Sequence, residues 1–360
     1  MINTMIMAGG KGERFWPKSR LSTPKQLLPI TGEKTMIEET IDRILPLSSK
    51  ENIFISTNKK LKAQIQNILT DISDENYILE PEPRDTAPAI ALATAIIGKK
   101  YPGSVMIVLP ADHYIIDSDI FREDLKIAAN IAKETGCLIT FGINPARIET
   151  GYGYIELGEI INSSYENPAY EVKSFKEKPD FITAKEYVEK GNFVWNSGIF
   201  IWTTTAIMEA FEKHLPEMFE GIIKIQDILE NSGNITEIEE VFKTLPKISI
   251  DYGVMEKAEN VLSMKARFRW DDVGSWPALE RVFKSDENKN IIKGLWVGRD
   301  TNNSIILGDD ENLIATLGLN NMVVVKEKDS ILIMSKDKAQ DLKKVVEQIK
   351  EDENLKKFTE

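Results

Sequence analysis

Four short apolar runs punctuate the first 145 residues, at Thr4–Met7, Asn52–Thr57, Ser104–Leu109 and Cys137–Phe141. Each is rich in Ile, Val, Met or Phe and short enough to predict a strand buried on both faces. Between them lie stretches of helical periodicity: Thr35–Leu45, closed by Pro46, then Lys59–Leu69, Pro88–Lys100, and Asp119–Thr135, closed by Gly136. Such alternation predicts a mostly parallel sheet with helices on both faces. Thr86 reads as the N-cap of the third helix, with Pro88 in its first turn, and Gly136 takes the left-handed position after the fourth. In sheets of this kind ligands bind at the carboxyl ends of strands. The loops that follow Thr4–Met7 and Ser104–Leu109 are therefore the first places to look for a site.

The pattern then changes. From about Gly142 to Ala278, strands are expected near Gly153–Leu157, Ala169–Phe175 and Gly198–Trp202, with helices near Thr183–Lys190 and Thr205–Glu212. This part should extend the sheet and cover its mouth, with Phe193, Trp195, Phe200 and Trp202 as core packing. After Phe283 come five β-like runs with no helical pattern between them: Ile291–Val297, Ser304–Gly308, Leu313–Leu317, Met322–Lys326 and Ser330–Met334. Turn pairs such as Asp309-Asp310 and Asn320-Asn321 separate them, which predicts a small all-β, solenoid-like stack. An amphipathic helix over Lys338–Leu355 should follow, its Leu342, Val345, Val346 and Ile349 facing the β-module or a partner subunit rather than a membrane. A chain of 360 residues exceeds one small core, so two domains are expected, 1–283 and 284–360.

Charge narrows the partners. With 57 acidic and 45 basic side chains the net charge is −12, which argues against bulk binding to nucleic acid or an anionic membrane. Anionic small molecules remain open, because a local cluster of cations outweighs the distant average within a Debye length. No run approaches the roughly 18 apolar residues of a membrane span, and no basic segment followed by an apolar run opens the chain. A cytoplasmic location is expected. Cys137, the one cysteine, reads as a small buried residue of its strand. Two histidines, His113 and His214, cannot supply a three-histidine zinc site; His113 reads as structural and His214 as solvated.

Chemistry concentrates after the first strand, in Ala8-Gly9-Gly10-Lys11-Gly12-Glu13-Arg14-Phe15-Trp16-Pro17-Lys18-Ser19-Arg20, with Pro24-Lys25-Gln26 close behind. Glycines allow tight turns and bring bare N–H groups against a phosphate. Arg14 and Lys25 add the cations that a polyphosphate calls for. Asp112 follows the Ser104–Leu109 run, where an aspartate is more often a turn residue or helix cap than a hard metal ligand.

This combination resembles the sugar-1-phosphate nucleotidyltransferases, and within them those that transfer guanylyl to mannose 1-phosphate. The Phe15-Trp16-Pro17-Lys18-Ser19-Arg20 portion is the specific part. The likeness continues in order through Glu80-Pro81-Glu82-Pro83-Arg84-Asp85-Thr86-Ala87-Pro88, Leu109-Pro110-Ala111-Asp112-His113, Gly151-Tyr152-Gly153-Tyr154, Phe175-Lys176-Glu177-Lys178-Pro179, Phe193-Val194-Trp195-Asn196-Ser197-Gly198 and Trp270-Asp271-Asp272-Val273-Gly274-Ser275-Trp276.

The resemblance implies a Rossmann-like, GT-A-like catalytic domain joined to a left-handed β-helix-like module and terminal helix. It implies GTP and mannose 1-phosphate as substrates, GDP-mannose and pyrophosphate as products, and Mg²⁺ (or Mn²⁺) as cofactor. Arg14, Lys25 and Asp112 would be catalytic. Ala8, Gly9, Gly10, Gly12 and Arg14 would hold the nucleotide's phosphates, and Glu80, Arg84, Asp85 and Thr86 would face the base. Gly153, Glu177, Lys178 and Asn196 would bind the sugar phosphate. Asp112 and Asp272 would hold the metal, with Asp271 a close rival to Asp272. A homodimer through the C-terminal module is expected. Longer relatives carry a phosphomannose isomerase domain with histidine metal ligands; with two histidines and an end at Glu360, this chain is expected to lack that activity. Two alternatives remain: the same reaction on another sugar 1-phosphate or nucleotide, and a non-catalytic regulatory paralogue. The paralogue would have lost Arg14, Lys25 or the metal aspartates, and all are present.

Overall fold

The alternating half of the chain builds the parallel half of a mixed sheet. A computed structural model describes every residue except Lys11 and Ser163, and the side chain of Asn162 is also left aside. Among the described residues nine strands form the main sheet: β1 (Ile2–Met7), β2 (Ile53–Asn58), β3 (Tyr77–Glu80), β4 (Val105–Pro110), β5 (Leu138–Ile143), β6 (Tyr154–Asn162), β7 (Ala169–Lys176), β8 (Phe193–Thr203) and β9 (Val261–Lys265). Their order is β3-β2-β1-β4-β8-β5-β9-β7-β6. Pairing is parallel from β3 to β4. Beyond β4, the long β8 enters antiparallel to both β4 and β5. Only β5 and β9 are parallel after that.

The chain divides into two compact units, neither continuous in sequence. One comprises Met1–Gly9, Ile41–Pro110 and Ile115–Trp270; the other comprises Gly10–Thr40, Ala111–Tyr114 and Asp271–Glu360. The first unit holds the main sheet. Its helix Thr86–Lys100 is apolar nearly all round, with Ala87, Ile90, Ala91, Ala93, Ala95 and Ile97 fully buried. A helix of that kind needs neighbours on several sides, and the helices Thr204–His214 and Pro216–Asn231 supply them. Phe193, Trp195, Phe200 and Trp202 are core residues as expected. Burial of each such side chain contributes roughly 1.5–3 kcal/mol. In β1, Met7 pairs with Pro110 of β4, so two loops leave from neighbouring strand ends.

Several local expectations need correction. The N-cap of the third helix is Asp85, not Thr86: Asp85 turns the chain at φ 72° and its side chain accepts from Thr86 N at 2.8 Å. Thr86 is already helical, and its hydroxyl accepts from Ile250 N instead. Cys137 is half-buried rather than buried, because β5 begins one residue later, at Leu138. Gly136 does take the left-handed position, at φ 67°. Periodicity did not reveal β3, β9 or the helices Pro216–Asn231 and Ile235–Thr244. These strands are only four or five residues long, too short to show a period.

In the second unit the short runs form β10 (Ile291–Lys293), β11 (Trp296–Arg299), β12 (Ile305–Leu307), β13 (Ile314–Leu317), β14 (Met322–Glu327) and β15 (Ser330–Ser335). Pairing is parallel for β10 with β12, β12 with β14, and β11 with β13; β15 closes the stack antiparallel. Parallel neighbours without crossover helices are the mark of a solenoid. The single run expected at Ile291–Val297 is two strands, bent at Gly294 (φ 87°), where a Cβ would lie 2.7 Å from the backbone of Gly308 and Asp309.

The core of this unit is shared by segments far apart in sequence. Phe15, Trp16, Leu28 and Met36 pack with Trp276, Ile291, Ile305, Val323, Leu342 and Val346. Phe15 meets Trp276 edge-on at 4.9 Å. Trp276 Nε1 donates to Trp16 O at 3.1 Å, and Trp16 Nε1 donates to Phe358 O at 2.9 Å. The terminal helix is shorter than its periodicity suggested, Leu342–Glu351 with 3-10 turns on either side. Leu342 and Val346 are buried in this core and Ile349 packs against it, whereas Val345 is 45% exposed.

Candidate functional site

Gly12 shapes the loop that the sequence singled out. It adopts φ 63°, and a Cβ there would lie 2.6 Å from both N and Cβ of Lys25. The 3-10 turn Glu13–Phe15 follows at once, burying Phe15 in the core while Arg14 reaches a cavity of about 330 Å³. Two side chains brace the loop: Ser19 Oγ donates to Gly12 O at 2.7 Å, and Gln26 Nε2 donates to Gly10 O at 3.1 Å. Gly10 has open space where a Cβ would stand, and it lines the same cavity. Lys11 lies outside the described residues.

Asp112, His113, Asp272, Lys25 and Lys343 line that cavity too, all within the second unit. Lys25 is 4% exposed. Its ammonium donates to Asp112 Oδ2 at 2.8 Å, to Asp112 O at 2.9 Å and to Asp272 O at 2.7 Å. An ammonium has three protons, and all three are used. Burial alone would raise the pKa of Asp112. The charges of Lys25 and His113 and the Lys25 hydrogen bond outweigh it and hold the carboxyl below its usual range. Among the described residues no carboxylate pairs with Arg14.

Asp271 and Asp272 part company at Val273, a buried β-branched residue forced to φ 44°. That conformation is costly and persists only where the surroundings impose it. Asp271 accepts from Val273 N at 2.8 Å and pairs with Arg281, so its carboxylate is spoken for. Asp272 lines the cavity: a Cβ on Gly274 would lie 2.6 Å from Asp272 Oδ2 and 3.4 Å from Arg14 Nη1. Among the described residues no group of three or more His, Cys, Asp or Glu could form a closed metal cage. Two carboxylates with room for phosphate and water suit Mg²⁺, which is usually held by one or two carboxylates plus substrate phosphates.

The residues expected at the base and sugar lie in the first unit. Ala8 N donates to Ser56 O, and Ala8 O accepts from Thr57 Oγ1. Glu80, at the end of β3, accepts from Ser56 Oγ at 2.8 Å; burial raises its pKa against that bond. A Cβ on Gly9 would lie 3.6 Å from Glu80 Oε1. Arg84 is taken up by Glu82 and by Leu245 O, and Asp85 caps its helix. These last positions are thus bound into local structure.

Gly153, Glu177 and Asn196 do come together. A Cβ on Gly153 would collide with Glu177 Oε2 and approach Asn196 Cβ to 3.2 Å. Lys178, exposed and at φ 47°, donates to Glu177 Oε1 at 2.6 Å. Asn196 Oδ1 accepts from Thr140 Oγ1 and Gly198 N, which leaves Nδ2 to donate to Asp251 Oδ1 at 2.9 Å. Sequence reasoning missed Asp251. Its pKa is pushed up to about 7, chiefly by burial and then by Glu177, with Asp85 adding to the rise and Lys178 opposing it. Nothing in Ser249-Ile250-Asp251-Tyr252 signals this, because the neighbours that make it unusual are distant in sequence.

Linkage makes Asp251 testable. Between the unfolded carboxyl value near ~4 and about 7 the folded protein keeps a proton that the unfolded chain has lost. Stability should therefore fall as pH rises through that window and level off above it. Thermal unfolding of Asp251→Asn should lack this slope; equal slopes in both proteins would refute the assignment.

The nucleotidyl transferase family matches residues 3–289, and a MannoseP isomerase/GMP-like β-helix domain matches residues 294–349. A mannose-1-phosphate guanylyltransferase of Escherichia coli K12 is 38% identical over 97% of this chain and 73% of that protein. One from Klebsiella pneumoniae is 38% identical over 98% of this chain and 75% of its own length. The crystal structure of a protein from Thermus thermophilus, described as a mannose-1-phosphate geranyltransferase, superposes with TM-score 0.87 at 39% identity. It covers 97% of this chain and 99% of that one.

Proposed function

This chain belongs to the nucleotidyl transferase family, in the branch of the mannose-1-phosphate guanylyltransferases, and on that ground we propose that it transfers GMP from GTP to mannose 1-phosphate. The products are GDP-mannose and pyrophosphate. The observation that carries the reading is the cavity in which a glycine loop, Arg14, Asp112 and Asp272 converge.

A phosphate oxygen of the sugar 1-phosphate is already a nucleophile, so attack on the α-phosphorus needs no Ser/His/Asp relay. What the reaction needs is two polyanions held together and charge stabilised on the transferring group. Gly10 and Gly12 let the loop backbone approach the phosphates, and Arg14 presents a guanidinium to them. Asp112 and Asp272 would hold Mg²⁺, which when bound neutralises charge on the transferring phosphoryl group. Lys25 sets the position of both aspartates. Glu80 offers an acceptor to the N–H donors of guanine, with Ala8 and Gly9 beside it. Arg84, Asp85 and Thr86 shape the start of the helix behind it. Glu177 and Asn196, the latter held by its bond to Asp251, bind sugar hydroxyls, and Lys178 meets the sugar's phosphate.

The test is pyrophosphate release with Mg²⁺ from a panel of four nucleotides against several sugar 1-phosphates. GTP with mannose 1-phosphate should give the highest kcat/KM, and activity confined to UTP, dTTP or CTP would refute the guanine assignment. No described helix is long and apolar enough to cross a membrane, and use of GTP supports a cytoplasmic location. Residues 284–360 carry Leu313, Leu317, Ile331 and Ile333 at 63% exposure or more, which supports a homodimer through this module. Light scattering should report twice the monomer mass; a monomer at micromolar concentration would rule that out.

A further inference from the structure

Both expected cations line the cavity, but they are not equally free to meet a phosphate. Lys25 spends all three protons on Asp112 and Asp272, and its ammonium is buried under them. Recruiting it to a phosphate would break bonds that hold the Asp112 carboxylate and the backbone of both aspartates. Of that pair Arg14 remains, facing a cavity that already holds the negative charges of Asp112 and Asp272. A triphosphate needs more positive charge than one guanidinium provides.

The terminal helix brings it. Lys343 lines the cavity from the first turn of Leu342–Glu351. Leu342 before it is 3% exposed and Val346 after it 2%, so the helix is held by the core on either side of Lys343. Farther along, Lys350 pairs with Glu13 of the 3-10 turn that carries Arg14. That pair neutralises Glu13, which also lines the cavity, and ties the helix to the glycine loop. Among the described residues Lys343 makes no ion pair, whereas its neighbour Lys344 pairs with Asp341.

We propose that Lys343 is a phosphate-binding residue of this enzyme, gripping the polyphosphate end of the nucleotide that leaves as pyrophosphate. The terminal helix, outside the segment matched by the nucleotidyl transferase family, thereby completes the polyphosphate pocket of the second unit. Lysine suits this position as a mobile point charge able to follow a phosphate group as it departs. The proposal rests on the reading of the cavity as a polyphosphate site, but it can be tested without turnover.

Binding of inorganic pyrophosphate and of tripolyphosphate, with Mg²⁺, is measured by calorimetry on the full chain, alongside steady-state kinetics. Lys343→Ala should weaken both ligands by roughly tenfold, the scale of one charge-assisted contact. It should raise the KM for GTP similarly while the KM for mannose 1-phosphate stays within twofold. Lys343→Arg should recover most of the affinity, and Lys344→Ala should bind as the wild type does. Unchanged polyphosphate binding in Lys343→Ala would overturn the proposal, as would equal loss in Lys344→Ala. If the wild type binds polyphosphate but fails with GTP and mannose 1-phosphate, the functional reading falls while Lys343 keeps its role.

Discussion

Asp112→Asn should lower turnover with GTP, mannose 1-phosphate and Mg²⁺ by roughly a hundredfold or more, on the scale seen when one electrostatic element of a transition-state site is removed. Asparagine keeps the shape of the side chain and can still accept from Lys25, which lies 2.8 Å from Asp112 Oδ2. It removes the negative charge that a hard cation requires. The side chain is 36% exposed on the cavity, so solvent tempers the loss to stability and the melting temperature should drop only modestly. The acid limb should change as well. Because Asp112 titrates below its ordinary value, its contribution is present at neutral pH and is lost as pH falls through the folded value. The variant should lack that component of acid sensitivity. A rate within threefold of wild type, at saturating Mg²⁺, would remove Asp112 from the metal site.

Gly12→Ala should be as damaging for a different reason. The left-handed backbone costs a side chain about 1–2 kcal/mol, and the new Cβ would stand 2.6 Å from the backbone nitrogen of Lys25. A backbone atom cannot rotate away. Either the loop moves, taking Arg14 with it, or Lys25 moves and releases Asp112 and Asp272. Both routes predict loss of most activity together with a lower melting temperature. Gly10→Ala separates the two effects, since a Cβ there meets nothing within 4 Å. It should melt like the wild type yet raise the KM for GTP several-fold by crowding an approaching phosphate. If Gly12→Ala melts and turns over normally, the described loop conformation does not govern the site.

The Phe15-Trp16-Pro17 stretch shows how a sequence signal and its structural meaning diverge. In the sequence it marks the family; in the fold Phe15 packs on Trp276 and Trp16 ties to Phe358 and Trp276 through its own indole and carbonyl. The same holds for Asp271 and Asp272, which are adjacent in sequence and equally acidic. Arg281 and the strained Val273 backbone assign one to a structural ion pair and the other to the cavity. The Lys25 ammonium is bonded to a carbonyl 247 residues away, a contact that nothing in its local sequence signals.

The features that the order of residues alone determined are those written within a few positions of one another. They include the β-α alternation, the glycine turn with Arg14 just after it, the left-handed Gly136, the helix-free C-terminal strands and the presence of Asp112 just past a strand end. Periodicity and turn chemistry act over one or two turns of backbone, so they survive without tertiary context. Tertiary structure decided which acids face the cavity, what Lys25 holds, why burial pushes the Asp251 carboxyl up, and that Lys343 lines the same cavity as Arg14. Each of those depends on burial and on charges brought together across dozens to hundreds of residues, and electrostatic energy follows distance in space rather than position along the chain.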